Sequence, residues 1–403
     1  MANIIVKAFL AFLKKIGRRL LLDRLLHALE AAIPRWRFGF ANLGRGPYGH
    51  RLEIRVAGQV ALYDLFPSSD GCYLCAIGHY ERLSACDVTC LFASGATVTA
   101  KNVGDAPHEI EGQQVLILQF PVPEADRAAG RTCITLVHAG GTLLREWEVA
   151  LEAARSDRPF VVTTLMQDED RFLPEWIAYY RLLGADHFYI YDNRSLRRNR
   201  IRRLLAPLIK AGVVTLIDWD YPYVSGAADN SWRFCQRGQM HHCLYKYGGR
   251  SDWMLFIDVD EFIYPVCSEN SLLPLLGQYV DDSTVAGLQF KMIWFGNSGH
   301  TEVLDGLVIE NYTHRAPAVL PAGREKYAVK PKLVDTLFIH DVKQHADGTS
   351  ILPVSPDQYR INHYFATSSK RRWRQSSDHN EVEDTGMARF MPALRDSLKL
   401  SQK

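Results

Sequence analysis

The chain has 403 residues, of which 47% are hydrophobic and 23% charged, with a net charge of +2. That composition excludes a disordered or fibrous chain and leaves room for about two domains with cores of their own. Eight cysteines in this length exclude a small disulfide scaffold, and the near-neutral charge selects no partner by itself.

The charge is unevenly spread. Residues 1–45 hold nine basic residues against Asp23 and Glu30, a net of +7, which leaves −5 for the rest. This segment opens MANIIVKAFLAFLKKIGRRLLLDRLLHAL, with apolar residues at helical spacing and charges every few positions. The pattern predicts a short amphipathic helix. Its apolar runs fall far short of the ~20 residues that span a bilayer, and no small-residue cleavage site follows a clean apolar core. Two readings fit. Either residues 1–40 lie on an anionic membrane surface, or the helix packs on the protein's own body. Without a secretion signal the expected location is the cytoplasm, peripheral on the inner face of a membrane under the first reading.

Residues 46–155 read as a β-rich accessory domain. Short runs such as LEIRVAG, YLCAIG, CDVTCLF, VLILQFPV and TCITLVH alternate with the turn signals PSSDG, ASG, GDAP and HAGG. Regular short strands with few helical stretches predict an antiparallel sandwich or barrel. Cys72, Cys75, Cys86 and Cys90, with His79 between the pairs, have spacings that suit a structural zinc. The same residues also read as half-buried strands in which cysteine is a small apolar filler.

The pattern changes near residue 157. PFVVTTLM is a continuous apolar run, as expected of a parallel strand buried on both faces. QDEDRFLPEWIAYYRLLG then predicts a helix, with Pro174 in its first turn and Gly184 at its end. The strand DHFYIYDN, the basic helix RRNRIRRLLAPLIKAG, the strand VVTLIDW, the helical RFCQRGQMHHCLYKYG and the strand WMLFIDVDEF follow. Alternating strand and helix predicts an α/β unit over 158–380 built on a mostly parallel, Rossmann-like sheet, with 381–403 as a tail. Ligands of such sheets bind at the carboxyl ends of the strands. Asp192 and Asp258 both stand at strand ends and are expected to face one crevice.

The stretch LFIDVDEFIYP, residues 255–265, sets three carboxylates among apolar residues. Buried carboxylates are costly without a positive partner. Asp258 and Asp260, at i and i+2 past a buried strand, can direct oxygens to one point, and hard oxygen ligands suit Mg²⁺ or Mn²⁺. The alternative is a strand end with solvated acids.

These residues carry a resemblance. DWMLFIDVDEFIYP resembles the D-x-D segment of glycosyltransferases of the GT-A fold. DEDRFLPEWIAYYRLLGADHFYIYDNRS is similar to the N-terminal signature of the family-2-like and family-92-like enzymes. WFGNSGH, LVIENYTHR, KYAVKPKLV and RINHYFATS resemble later blocks, in the same order, so the likeness covers roughly residues 159–375.

The resemblance implies a metal-dependent transfer of sugar from a nucleotide-diphosphate donor, a UDP-sugar by expectation, to a glycan or lipid-linked acceptor, with inversion. It implies uridine and ribose contacts at Thr163 and Glu169, and base contacts at Asp192 with Asn193 and Ser195 beside it. Asp258 and Asp260 match the metal pair that meets the diphosphate, and His363 the late histidine that completes that site, with strand packing as its alternative. Glu261 supports the loop or meets the acceptor. An inverting transfer needs a carboxylate base. Glu310 is the candidate, with Asp341 and Glu261 as rivals and a surface helix glutamate as the alternative. Trp294 and the 296–300 loop with His300 form the expected acceptor side, since aromatics stack on sugar rings; for Trp294 the alternative is core.

Some residues depart from that pattern. Gln167-Asp168-Glu169 stands where many relatives have Lys-Asn-Glu, and Leu196 and Arg197 follow Ser195 where an acid is usual. The stretch RSLRRNRIRR holds six arginines, at 194, 197, 198, 200, 202 and 203. RRWRQ at 371–375 is not the QxxRW motif of processive enzymes. A basic cluster can bind nucleic acid by counterion release, but this one follows a nucleotide-site strand in a chain of balanced charge, so no nucleic acid is expected. A silent module that binds nucleotide-sugar or glycan is the remaining alternative.

Overall fold

The computed structural model describes residues 52–56, 59–78, 88–104, 115–138, 141–221, 234–266, 270–302, 304–367 and 377–400. The helix expected in residues 1–45, the membrane reading of residues 1–40, His79, Cys86 and the RRWRQ stretch lie outside them. Among the described residues no helix is long and apolar enough to cross a membrane.

The N-terminal region is antiparallel β, as its turn spacing predicts. One sheet orders its strands 54–56, 59–67, 73–78, 116–121 and 101–102; the other orders them 97–99, 88–92, 131–138 and 141–150. Leu62, Leu74, Leu118 and Phe120 of the first sheet share a core with Val88, Ile134, Leu136 and Val149 of the second. Side chains alternate across a strand, so the opposite face of the first sheet carries another apolar set. Tyr63, Cys75, Ile77 and Ile117 from that sheet join one core with Met240, Cys243 and Leu244. Cys75 and Cys90 therefore lie in separate cores, as the apolar-filler reading has it.

The second half is built on a seven-stranded sheet. Its elements in chain order are β1 (Arg158–Met166), α1 (Leu173–Leu182), β2 (His187–Asp192), α2 (Arg198–Lys210), β3 (Val214–Asp218), α3 (Phe234–Tyr247) and β4 (Ser251–Phe256). Among the elements that follow are β5 (Glu261–Pro265), β6 (Val285–Phe290), β7 (Met292–Trp294), α4 (Val308–Asn311), β8 (Lys326–Val329), β9 (Ser350–Pro353), β10 (Tyr359–His363) and α5 (Met391–Leu400). The strand order is β3-β2-β1-β4-β8-β6-β9. β1 to β4 are mutually parallel, while β8 runs antiparallel to both β4 and β6. The sheet is thus mixed. Its parallel block coincides with the continuous apolar runs, which are buried on both faces.

Helix α1 ends where the sequence predicts: Pro174 lies in its first turn, and Gly184 has φ +105, a conformation glycine adopts without strain. A side chain there would also strike Leu273. A second sheet of three strands, β5-β10-β7, stands beside the large one.

The segment read as a tail is structured to residue 400. Val382–Glu383 pairs with His314–Arg315, and α5 packs on α1. Residues 50–403 form one compact unit. The β-rich region is joined to the second half by buried polar bonds as well as by the shared core. His242 Nε2 of α3 donates to Asp64 at 2.8 Å, its Nδ1 lies 2.7 Å from the Tyr191 hydroxyl, and Lys246 donates to Asp64 at 2.6 Å.

Candidate active site

The crevice lies at the carboxyl ends of β1 and β4. Thr163, Thr164, Gln236, Gln239, Asp258 and Lys326 supply its polar wall, with Leu165, Met240, Phe256, Ile257 and Ile339 between them. Gln236 and Gln239 are three residues apart on α3 and so share a face. Gln239 donates to Thr163 Oγ1 at 2.9 Å, and Thr163 donates to the Tyr189 carbonyl at 3.0 Å. The Thr164 hydroxyl is buried without a hydrogen-bond partner among the described residues.

After β4 the chain breaks from the sheet through Ile257, Asp258, Val259 and Asp260. The Trp176 indole donates to the Asp258 carbonyl at 3.0 Å, which ties this loop to α1. Glu261 then opens β5. Its side chain turns back to accept the Asp258 N–H at 3.0 Å. Across the small sheet Glu261 pairs directly with His363 on β10, and His363 pairs with Trp294 on β7. Residues level with one another on neighbouring strands project from the same face. The ligand atoms of Asp260, Glu261 and His363 lie within 4.8 Å of one another, and His363 Nε2 is 3.3 Å from Asp260 Oδ2.

Asp258 is not one of those three residues. Its Oδ2 accepts from Lys326 Nζ at 2.8 Å, and its Oδ1 from Gln236 at 3.3 Å. Lys326 Nζ is also 3.5 Å from Glu261, and its side chain is only 3% exposed. Burial alone would favour loss of the lysine proton, but the charges of Asp258 and Glu261 outweigh it and hold the pKa above the ordinary value. Burial likewise pushes the Glu261 carboxyl up, against the pull of Lys326. The positive partner of the buried acids is thus a lysine from β8, which the sequence reading did not single out. The signal was present: KYAV is a fully buried strand that begins with lysine, and a buried lysine requires a partner.

The other expected residues divide between the crevice and the fold. Thr163 lines the crevice. The Glu169 carbonyl caps the turn into α1, accepting from the Phe172 and Leu173 N–H groups. Asp192 ends β2, level with Met166 of β1, and is not among the residues that line the pocket around Asp258. It is fully buried and accepts from the Ser195 N–H at 2.9 Å and from Arg198 at 3.1 Å. Burial raises its pKa despite Arg198. Asn193 donates to the carbonyls of Trp219 and Tyr221, and Ser195 Oγ accepts the Asp168 N–H. Four of the clustered arginines are engaged with acids at these strand ends: Arg197 and Arg200 with Asp170, Arg202 with Asp218, and Arg198 with Asp192 and Asp220.

On the expected acceptor side, the Trp294 ring meets His379 at 4.6 Å and Phe365 at 5.7 Å, close to His363. His300 instead lies 6.4 Å from Tyr312. Glu310 on α4 does not line the crevice; Arg395 of α5 holds its carboxylate at 2.6 Å. Asp341 is paired with Lys343 at 2.5 Å.

Strand-end carboxylates, an imidazole within reach of them and a polar crevice alongside define a site suited to holding a cation next to an anionic ligand. The sequence model of glycosyltransferase family 92 matches residues 160–392, more than half of the chain, and the chain belongs to that family. It is similar to a glycosyltransferase family 92 protein of Ricinus communis, at 31% identity over 50% of this chain and 34% of that one. It is also similar to the galactan β-1,4-galactosyltransferases GALS3 and GALS2 of Arabidopsis thaliana. GALS3 matches at 28% identity over 49% of this chain and 39% of its own length, and GALS2 at 25% over 71% and 53%. The chain thus spans about a third to a half of the length of these relatives. The solved galactosyltransferase LgtC, in complex with donor and acceptor sugar analogues, matches at a TM-score of only 0.26 and 14% identity, over 59% of this chain and 95% of that one.

Proposed function

We propose that the protein transfers a hexosyl group from a nucleotide-diphosphate sugar to a hydroxyl of a glycan or lipid-linked acceptor, on a GT-A type scaffold with its D-x-D at Asp258 and Asp260. The observation that carries this reading is the convergence of Asp260, Glu261 and His363 beside the strand-end crevice. Two carboxylates and an imidazole suit Mn²⁺ or Mg²⁺, and these three residues would hold the ion. When bound, the ion supplies positive charge to the departing diphosphate.

The chain's own groups do the rest. Thr163, Thr164, Gln236 and Gln239 offer hydroxyls and amides to the nucleotide. Asp192, Asn193, Ser195 and Arg198 stiffen the adjoining strand ends, and Glu169 fixes the turn into α1. Trp294, with Phe365 and His379, gives the acceptor sugar an apolar face. The acceptor's proton passes to a carboxylate, of which Asp341 is the candidate left once Glu261 is given to the ion and Glu310 to Arg395. Because relatives are named as β-1,4-galactosyltransferases, UDP-galactose is the first donor to test. A β-linked product from an α-linked donor means inversion. Residues 1–40 add attachment to an anionic membrane surface, readable as co-sedimentation with anionic vesicles that their deletion reduces.

The test is donor hydrolysis and transfer across a panel of nucleotide-sugars, with and without Mn²⁺. Mn²⁺-dependent release of nucleoside diphosphate from at least one donor supports the reading. Tight nucleotide-sugar binding without turnover, with every acceptor offered, replaces it with a silent binding module.

A further inference from the structure

We propose that Lys326 is a built-in counter-cation of the candidate metal site: in the donor-free protein its ammonium holds Asp258 and Glu261 and opposes entry of a divalent ion, and a diphosphate entering the crevice takes over the ammonium and admits the ion. The inference rests on the metal-dependent reading above and adds an order to how the site fills.

The geometry supports each part. Lys326 Nζ bonds Asp258 Oδ2 at 2.8 Å and stands 3.5 Å from Glu261 Oε2, so one cation reaches both Asp258 and a member of the ligand group. The lysine is not a surface residue that happens to reach inward. All four residues of its strand are buried, and β8 is bracketed by β4 and β6. A charge in that position is stable only while paired. A divalent ion at Asp260, Glu261 and His363 meets this like charge at short range, in a setting where water screens poorly. Removing the lysine charge therefore strengthens ion binding.

The second half of the proposal follows from where Lys326 sits. It lines the crevice together with Gln236, Gln239 and Thr164. An ammonium on a flexible four-carbon stem is a mobile point charge. Diphosphate oxygens carry more charge than one carboxylate and draw it from Asp258. Glu261 is then released to the ion. Ion and nucleotide diphosphate bind with positive coupling, and the coupling is reciprocal.

The experiment measures Mn²⁺ affinity of the full chain by the EPR signal of free Mn²⁺, without nucleotide and with UDP. The proteins are the parent, Lys326→Gln and Lys326→Arg. We expect Lys326→Gln to bind Mn²⁺ alone about tenfold more tightly or better, within the usual range of site-to-site coupling. The gain in Mn²⁺ affinity that UDP confers should shrink in the same variant. Lys326→Arg should keep the parent pattern. Equal or weaker Mn²⁺ binding by Lys326→Gln overturns the proposal. Should that variant fail to fold, Asp258→Asn is compared with the charge-balanced pair Asp258→Asn/Lys326→Gln, and the pair must bind Mn²⁺ about tenfold more tightly. A parent that binds no Mn²⁺ even with UDP removes the metal reading and this proposal together. A parent whose Mn²⁺ binding ignores the lysine removes this proposal alone.

Discussion

Glu261 and His363 stand directly opposite each other across an antiparallel strand pair, and Asp260, one residue earlier, is 3.3 Å from the same imidazole. This pairing sets a rank among the acids of the D-x-D segment. With UDP present, Asp260→Asn and His363→Ala should abolish most Mn²⁺ binding, whereas Asp258→Asn, whose carboxylate is outside the three-residue group, should lose much less. Calorimetric titration with Mn²⁺ gives the comparison. Equal losses for Asp258→Asn and Asp260→Asn would place the ion between the two aspartates instead.

Glu310 was the leading candidate for the base on sequence grounds. Its carboxylate is engaged by Arg395, and the residue lies outside the crevice wall. We therefore expect Glu310→Gln to lower turnover by less than about fivefold at saturating donor and acceptor, well under the 10²–10⁴ that loss of a general base costs. A fall within that range would restore Glu310 as the base.

Glu175 gives a pH dependence of unusual sign. It is 5% exposed and accepts from the N–H groups of Val308 and Ile309 at the start of α4. Burial outweighs these two bonds and pushes its pKa up to about 7. The folded state therefore holds this proton more tightly than the unfolded chain, where the ordinary value is 4.5. Its contribution to stability is complete below about 4.5 and is lost as pH rises through about 7. The loss is at most about 3 kcal/mol, from the size of the shift. Denaturant unfolding of the parent and of Glu175→Gln between these pH values checks it. The variant should show a flatter profile, and identical profiles would assign the dependence to another group.

Asp64 has the opposite sign. Burial alone would raise its pKa, but Lys246 and His242 overcome that and hold it below the ordinary range. Its contribution is present above pH 3.8 and disappears as pH falls through the lower folded value. Asp64→Ala leaves Lys246 and His242 facing a buried gap, and should cost about 3 kcal/mol or more. The midpoint of urea unfolding at neutral pH reports the change.

Deleting residues 1–155 should leave a chain that does not fold. Met240, Cys243 and Leu244 of α3 share a core with the β-rich sheet, and the deletion exposes that face. Loss of cooperative unfolding in the truncated chain is the expected result. A cooperative transition at the parent midpoint would make the β-rich region a separable domain.

Much of the parallel block was legible because its code is local. PFVVTTLM is apolar on both faces, and Pro174 and Gly184 mark α1 at both ends. The acids of LFIDVDEFIYP were legible for the same reason: charge inside an apolar run stands out in a single window. The small sheet was not, because β5, β7 and β10 carry no local signal that they will pair. Lys326 was missed because its partner Asp258 lies 68 residues away in sequence. The acids that Arg198, Arg200 and Arg202 of α2 meet, at 170, 192, 218 and 220, were hidden because they lie on other elements. The face of α3 that meets the β-rich sheet was hidden because histidine and cysteine in QMHHCLYKY do not read as core residues.

The register of the small sheet also sets when, during synthesis, the site comes into being. Asp260 and His363 are 103 residues apart, so the ribosome has long finished the D-x-D when the imidazole emerges. A strand paired one residue out of step would turn Glu261, His363 and Trp294 away together. The cluster therefore does not assemble by degrees: a nascent or prematurely terminated chain has the carboxylates without the histidine that gathers them. The three-residue group therefore exists only in chains that have paired β10 with β5.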